Sequence, residues 1–317
     1  MESNGSPARA RPWRGHLARL RGAAAAALFV ALSMAQLGCD RAAAQDPRWA
    51  VWSAEVHRPS AIPGLSYELA PNVERDLGGW SVKTNARGAR DSEPNAKSDI
   101  FRVAALGGTF TFGWGVPVDQ TWPALLEREL ARTILVQGRE VDFLDGAVAG
   151  FDVPEQVALL EARVLELDPW VLALEHSFED PKAPQLAALQ PDRPTIEALH
   201  DPQGAAWRSF SNALGKARAL VGPREIPRIL VIVPRLGSEP WDRYPYRALH
   251  AQVAQEARRQ GFEPLDLLER FGAEPPQSLV LGPDDAEPNA HAHALAADAF
   301  KRFLYESGAL GQVLERH

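Results

Sequence analysis

The chain of 317 residues contains a single cysteine, Cys39. An internal disulfide is therefore excluded, and the folded part has to be stabilised by its core alone. The apolar run from Ala23 to Leu37 has 15 residues, which is too short for a comfortable membrane span. Residues 1–38 hold five arginines and one acid, so 29 basic and 40 acidic residues remain. Because no basic run is left among them, we expect no nucleic-acid partner.

The first 39 residues are typical of an export signal. A basic region ends at Arg21, the apolar run follows, and Gly38-Cys39 comes directly after it. The lone cysteine at this point resembles a bacterial lipobox, in which the thiol is lipidated after cleavage, although Gln36 stands where leucine is usual. The alternative is a plain secretory signal with an incidental cysteine. Both interpretations place the mature part outside the cytoplasm. The first predicts a periplasmic lipoprotein that is anchored to a membrane through a lipid on Cys39.

Residues 40–98 differ in amino-acid composition from the rest of the chain. Trp49, Trp52 and Trp80 are scattered among proline, glycine, asparagine and aspartate. We predict a linker followed by a small β-rich extension, with strands around 66–69 and 80–83. The run 84–91, TNARGARD, is predicted to be a hairpin or loop that leans on the main domain. Its role is left open between a surface tether and a part of the wall of a cleft.

From Arg102 onward, apolar strands alternate with amphipathic helices. Asp152 with Pro154, Thr121 and Asn289 are predicted to begin helices, because each can cap a helix N-terminus. The predicted strands are 103–106, 141–144, 171–174, 229–233 and 262–268. This alternation predicts an α/β fold, a three-layer α/β/α sandwich with a five-stranded parallel sheet.

The stretch 102–116, RVAALGGTFTFGWGV, organises this domain. A buried strand breaks at Gly107-Gly108, and Thr109 follows at the tip of the turn, at the sheet edge where open α/β folds bind ligands. The stretch resembles the first block of the SGNH hydrolases, the GDSL-type esterases and lipases, in which Gly-Asp-Ser is followed in one branch by Phe-Thr-Phe-Gly. Thr109 takes the position of the nucleophile serine, and Gly108 takes that of the aspartate.

Three further stretches resemble the other blocks of this family. In 144–151, Ala147 takes the position of the oxyanion-hole glycine. In 174–180, Glu179 takes the position of the oxyanion-hole asparagine. In 283–289, Asp284 is kept, but Glu287 takes the position of the catalytic histidine. The TNARGARD run also resembles the element that precedes the first block in related extracytoplasmic proteins.

The resemblance implies an SGNH hydrolase-like domain over 99–317, after a signal in 1–39 and the linker and extension in 40–98. It also implies a degenerate triad and a degenerate oxyanion hole. A carboxylate in the oxyanion hole and the loss of the base each raise the barrier by several kcal/mol. We therefore expect a protein that binds a ligand or partner without the family's chemistry. The alternative is an active ester hydrolase or acyl-transfer enzyme on carbohydrate or lipid esters, with Thr109 as nucleophile.

Other side chains are candidates for the same site. His293, beside His291 at the start of the last helix, is a candidate substitute base, and the alternative is a surface histidine. Glu287 itself is a further candidate base toward Thr109. A divalent-metal set is conceivable if the family fold brings these residues to one edge, but the prediction is that there is no metal and no cofactor. That set would be His176, Glu179, Asp284, Glu287 and His291.

Three aromatic residues follow the most apolar strand. Trp241, Tyr244 and Tyr246 lie in a proline-containing loop. Packing against the core is the favoured interpretation, and lining a cleft is the alternative. The expected ligand is a carbohydrate or lipid ester.

Overall fold

The structure, a computed structural model, describes residues 52–97, 99–134, 139–178, 192–237, 239–283 and 285–316. All of them belong to one compact unit, 47–317. The predicted signal and Cys39 lie outside the described residues, so the export signal and the lipid anchor stay predictions. Within the described ranges, no helix combines the length and the apolarity needed to cross a bilayer.

The extension before the main sheet consists of a helical turn and two antiparallel strand pairs. The turn is Trp52–Val56, and the strands are β1 (His57–Pro59), β2 (Tyr67–Leu69), β3 (Glu74–Asp76) and β4 (Ser81–Lys83). β1 pairs with β2, and β3 pairs with β4. The two strands predicted in this region are present, but each belongs to a different pair. Their buried side chains, among them Trp52, Leu69 and Val82, join the same hydrophobic core as the sheet.

The main sheet has five parallel strands in the order β6-β5-β7-β8-β9. They are β5 (Ile100–Leu106), β6 (Glu140–Asp145), β7 (Val171–Ser177), β8 (Arg228–Val233) and β9 (Glu263–Asp266). All seven residues of β5 are buried, which is expected of a strand covered by helices on both faces. The predicted fold class is confirmed. The last strand is shorter than predicted, because the chain has already entered a helix at Leu268.

Helices cover the sheet. They are α1 (Thr109–Phe112), α2 (Trp122–Ile134), α3 (Val153–Leu159), α4 (Arg193–Leu199), α5 (Ala205–Val221), α6 (Arg247–Arg259), α7 (Leu268–Phe271), α8 (Ala290–Glu306) and α9 (Ala309–Arg316). Helical turns of other pitch are Val118–Gln120, Leu160–Val164, Leu165–Leu167, Gly222–Arg224, Trp241–Arg243 and Pro276–Ser278. A hairpin of β10 (Val280–Gly282) and β11 (Asp285–Pro288) precedes α8.

Two of the three predicted helix caps are confirmed. Asp152 accepts a hydrogen bond from the N–H of Glu155 in a reciprocal capping box, and Asn289 caps α8. The helix predicted to follow Thr121 begins at Trp122, but among the described residues the Thr121 hydroxyl only donates, to the carbonyl of Val118, so the cap itself is not confirmed. The first N–H of α2 is instead satisfied from α8, as described below.

Candidate functional site

Thr109 lies at the C-terminal edge of the sheet, at the first position of α1. β5 ends at Leu106, and Gly107 and Gly108 form the turn into the helix. The side chain of Thr109 is half-buried, and its Oγ1 accepts a hydrogen bond of 3.2 Å from the backbone N–H of Gly150. The hydroxyl in the family's nucleophile position is therefore tied to the loop that carries the second block.

A carboxyl group of the chain itself occupies the start of α1. Glu175, in β7, is 1% exposed, and its Oε2 accepts hydrogen bonds from the N–H groups of Gly108 at 3.1 Å and Thr111 at 2.8 Å. Its Oε1 has no hydrogen-bond partner in the described part of the chain. Burial raises the pKa of Glu175, and the hydrogen bonds from Thr111 and Gly108 oppose that shift. The positive end of this helical turn thus already holds an internal acid.

Only glycine fits at position 107, beside this contact. A Cβ at Gly107 would lie 2.3 Å from Oγ1 of Thr111 and 2.4 Å from Oε2 of Glu175. The Thr111 hydroxyl is fixed in turn by the indole N–H of Trp122, at 3.2 Å. Sequence reasoning did not single out Glu175. An acidic residue directly after the apolar strand residues 171–174 was the signal that could have found it.

The backbone amide of Ala147 is also engaged within the chain. Its N–H donates to Oδ1 of Asp145 at 3.0 Å, and the side chain of Asp145 is buried. The N–H of Asp145 donates to Oδ2 of Asp91 at 3.1 Å. Burial raises the pKa of Asp91 to about 6, and burial together with repulsion from Asp91 raises that of Asp145 well above its usual range. The amide at the oxyanion-glycine position therefore points at a carboxyl group.

Arg90 holds the far end of α1. One terminal nitrogen of its guanidinium donates to the carbonyls of Phe112 at 2.6 Å and Gly113 at 2.9 Å, and the other donates to Val116 at 2.8 Å and Ser81 at 3.0 Å. The side chain is 1% exposed, and burial lowers its pKa to about 10. The guanidinium also lies 4.9 Å from the ring centroid of Phe112. The TNARGARD run is thus part of the packing of the first block and not only a tether.

The extension also contacts the second-block loop. The hydroxyl of Tyr67 donates to the carbonyl of Ala149 at 2.7 Å, next to the Gly150 amide that binds Thr109. Within the TNARGARD run, Oδ1 of Asn85 accepts the N–H groups of Arg87 and Ala89 at 2.9 and 3.0 Å, which shapes the loop. Residues 67–91 therefore support both loops that carry candidate site residues.

His293 is buried beneath the first block. Its Nδ1 accepts the backbone N–H of Trp122 at 3.1 Å, and its ring stacks on Phe110 with centroids 4.6 Å apart. Burial lowers its pKa to about 3, with a smaller effect from Arg90. The interpretation as a surface histidine is therefore wrong for His293. It is right for His291, which is exposed and lies 3.9 Å from Glu274.

The remaining family positions are described only in part. Glu287 is half-buried in β11, and its backbone N–H donates to Oδ1 of Asp285 at 3.2 Å. Glu179 and Asp284 lie outside the described residues. Among the residues that are described, Thr109 makes no hydrogen bond with Glu287 or His293. The triad and oxyanion roles assigned by resemblance stay predictions. Nor does any group of three or more histidine, cysteine or acidic residues in the described ranges fit a metal ion.

A large cavity lies along the same edge, between the loops that follow β8 and β9, and Pro283 and Ala286 of the stretch 283–289 help to line it. Its volume is about 810 Å³. Trp241, Tyr244 and Tyr246 line it and are each less than a tenth exposed, so they both pack and line a cleft. Charged side chains stand among them, including Arg193 and Glu239. Such a combination of aromatic and charged groups is typical of small-molecule sites.

Hydrogen bonds fix two of the aromatic rings of this cavity. The indole N–H of Trp241 donates to the carbonyl of Glu274 at 2.6 Å. The hydroxyl of Tyr244 and Nε2 of His250 are 3.1 Å apart, and Nδ1 of His250 is 2.8 Å from Oδ1 of Asp266. Because the carboxylate accepts the Nδ1 proton, the phenol donates to Nε2. The cavity wall is therefore preorganised.

Neither a family model nor a curated protein matches this chain. Solved structures do. A putative lipolytic protein of the G-D-S-L family from Desulfitobacterium hafniense DCB-2 is 15% identical, with a TM-score of 0.44 over 63% of this chain and 98% of that one. The chain resembles GDSL-type esterases in structure. An acetylxylan esterase from Geobacillus stearothermophilus is 16% identical, with a TM-score of 0.46 over 65% of this chain and 95% of that one.

A two-domain esterase active on acetylated mannans is also similar. It is 16% identical, with a TM-score of 0.47 over 65% of this chain and 49% of that one, so the SGNH-like chain spans about half of its length. The family that the first block resembles in sequence is thus also found among the structurally similar proteins. At these identities and TM-scores, the similarity concerns the fold and assigns no role to any residue.

Proposed function

We propose that this protein is an extracytoplasmic, SGNH-like protein that binds a carbohydrate or lipid ester and does not hydrolyse it by the family's serine mechanism. One observation carries this proposal. The amide of Ala147, at the position of the oxyanion-hole glycine, donates to the buried carboxyl group of Asp145, within the chain itself.

An oxyanion hole requires donors aimed at the position where negative charge develops. Loss of one such donor lowers the rate about 10²–10³-fold. At this site the Ala147 amide is already engaged, and the position of the family's asparagine is Glu179. The position of the family's base is a carboxylate, Glu287, and His293 is turned into the core against Phe110. These features together support binding over turnover.

Binding has a place to occur on the same edge of the sheet. The 810 Å³ cavity is large enough for a drug-sized ligand, and its aromatic rings offer flat faces to a sugar ring or an acyl chain. The Trp241 and Tyr244 rings of its wall are held by hydrogen bonds before binding, which reduces the entropy lost when a ligand is ordered. The proposed location, outside the cytoplasm on a lipid anchor at Cys39, rests on the composition of residues 1–39.

The alternative is an ester hydrolase or acyl-transfer enzyme that uses Thr109. The observation in its favour is that the Thr109 hydroxyl is half-buried at the sheet edge and is reached by the amide of Gly150. A nucleophile at this position requires a base within hydrogen-bond reach.

The two functions separate on turnover of short-chain nitrophenyl esters by the purified protein. We expect no difference between the wild type and Thr109→Ala, because neither has the family's base. A large drop in Thr109→Ala would support the alternative. The combined variant Gly108→Asp, Thr109→Ser, Glu179→Asn and Glu287→His is expected to gain activity that the wild type lacks.

Binding is measured separately, by calorimetry with acetylated oligosaccharides and with a short-chain phospholipid. Trp241→Leu is expected to weaken binding about tenfold or more, because the ring lines the cavity. Tyr305→Ala is the matched control, since Tyr305 is exposed on α8. Equal affinities for both variants, or no binding to any probe, would remove the cavity as the ligand site.

A further inference from the structure

The short helix α4 is held to the domain by few side chains. Most of its residues are exposed, and the buried anchors are Ile196 and His200, the residue that follows the helix. One further attachment is the side-chain amide of Gln252, which donates to the carbonyl of His200 at 2.6 Å. A segment with so few buried contacts opens at a lower free energy than the sheet does.

His200 is bound to the sheet through a second imidazole. Its Nε2 lies 3.1 Å from Nε2 of His176 in β7, and its Nδ1 lies 2.7 Å from the carbonyl of Ile196. A carbonyl only accepts, so Nδ1 of His200 carries the proton and its Nε2 offers a lone pair. His176 must then donate from its own Nε2. In this neutral arrangement one proton lies between the two Nε2 atoms, and protonation of His200 adds a second proton and a positive charge to the buried pair.

The surroundings of the pair disfavour a positive charge. The rings of Phe178 and Phe210 lie 5.3 and 4.8 Å from that of His176. Burial, followed by repulsion from His200 and His250, lowers the pKa of His176 well below its usual range, and burial also lowers that of His200.

Few other titratable groups face the pair. His250, on α6, lies on the other side of Phe178 and is bound to Asp266 and Tyr244. Asp152, before α3, shares with the pair a small cavity of about 40 Å³. That cavity is large enough to hold water.

The same helix borders the large cavity. Asp192, the N-cap of α4, and Arg193, its first residue, both line the 810 Å³ space. We propose that the His176–His200 hydrogen bond is an acid-sensitive latch, whose protonation releases α4 and opens the Asp192–Arg193 side of the cavity. The consequence for ligand release rests on the proposed function, but the latch itself does not.

The direction of the effect follows from proton linkage. In the closed state the pKa of His200 lies below its ordinary value of 6.5. The released segment binds a proton first as the pH falls below about 6.5, so acid favours the open state. Protonated His200 would also direct an N–H at the N–H of His176, so the present bond would have to break or His176 would have to move its proton to Nδ1.

Hydrogen exchange of the full chain, read by mass spectrometry at about pH 7.5 and about pH 5, tests the latch without any ligand. After correction for the intrinsic rates, we expect protection of residues 193–200 to fall about tenfold or more at the lower pH. Protection of β8 should not change. Equal protection of α4 at both pH values would overturn the proposal. An equal loss of protection in α4 and β8 would also overturn it, because such a loss indicates global unfolding.

Two substitutions sharpen the result. In His200→Gln, the Gln oxygen accepts from His176 whether or not that ring is protonated, so the pH response of α4 should disappear. In His176→Gln, the amide donates to His200, which still titrates, so the response should remain. The exposed His291→Gln serves as the control and should behave as the wild type. A pH response that survives in His200→Gln would contradict the latch.

If a ligand of the cavity is found, its affinity should fall at about pH 5 in the wild type and not in His200→Gln.

Discussion

The two ends of the sheet edge differ in how their polar groups are used. Around Thr109, next to β5 and β6, the amides are bound by buried acids and Arg90 closes the end of α1. Beyond β8 and β9, the polar groups of Tyr244 and Trp241 brace the rings around an open cavity of about 810 Å³. The comparison shows that the chain's own acids occupy backbone amides at one end of the edge, while at the other end the polar groups leave an open cavity between the rings.

The largest effect is expected from breaking the closed end at Arg90. Arg90→Met keeps the stacked stem and removes four hydrogen bonds to carbonyls, three of which are buried. We expect the free energy of unfolding to fall by about 3–5 kcal/mol in urea denaturation. Arg87→Met is the control, because Arg87 is an exposed partner of Glu166 and such pairs contribute about 1 kcal/mol or less. Similar losses of stability for both variants would show that the hydrogen bonds of Arg90 to the end of α1 contribute no more than an exposed ion pair.

A smaller effect is expected from adding one methyl group at the same end. Gly107→Ala brings a Cβ to within 2.4 Å of Glu175 and Thr111, so their contact has to open. The expected loss is about 2–4 kcal/mol in the free energy of unfolding. Gly222→Ala is the matched control, since a Cβ there meets nothing within 4 Å. A neutral Gly107→Ala would show that the acid does not need this turn.

His293 makes the stability of the Thr109 end of the sheet edge depend on pH. Its pKa is about 3 in the folded state and 6.5 in its ordinary state, so the unfolded chain binds the proton first. The stability that it contributes is present above about pH 6.5 and is lost as the pH falls toward 3, at about 1.4 kcal/mol per pH unit. In His293→Gln, the amide oxygen still accepts the N–H of Trp122, and this part of the slope should vanish. Urea denaturation at several pH values measures it. An unchanged slope would place the acid sensitivity in other groups.

Asp91 is expected to show the opposite dependence, with the smallest effect. Its pKa of about 6 lies above its ordinary value of 3.8, so the folded state binds the proton first. Its stabilising effect is complete below about pH 3.8 and is lost as the pH rises through 6. In Asp91→Asn, the oxygen that accepts from Asp145 remains, and the exposed N–H of Ser92 loses its acceptor at every pH, so the variant should be more stable relative to the wild type at about pH 8 than at about pH 4, by about 1–2 kcal/mol. The same difference at both values would point to packing and not to the charge.

The sheet was predictable because its central strands contain short apolar runs, and runs such as 229–233 leave little choice of structure. The helix caps at Asp152 and Asn289 were predictable because capping is local. The cap at Thr121 was not, since the acceptor for the first N–H of α2 comes from His293, 171 positions away in the chain. The resemblance located the first block correctly at the sheet edge.

The contacts that decide the chemistry were beyond sequence reasoning for the same reason. That Glu175 binds the amides of Gly108 and Thr111 depends on β7 lying beside β5, and strand order is not local information. The cavity beside Trp241 depends on how three separate loops meet. Aromatic residues in the sequence show that a wall or a core is possible, and they do not show which of the two forms.

The guanidinium of Arg90 has a consequence for how this protein can be divided. A chain cut to begin at Asp99, where the sequence suggests a domain boundary, would leave the carbonyls of Phe112, Gly113 and Val116 without their donor. The extension and the α/β domain therefore have to be inherited together. A recombination event between them would separate an arginine from the loop that it holds, and each half would reach its new partner incomplete.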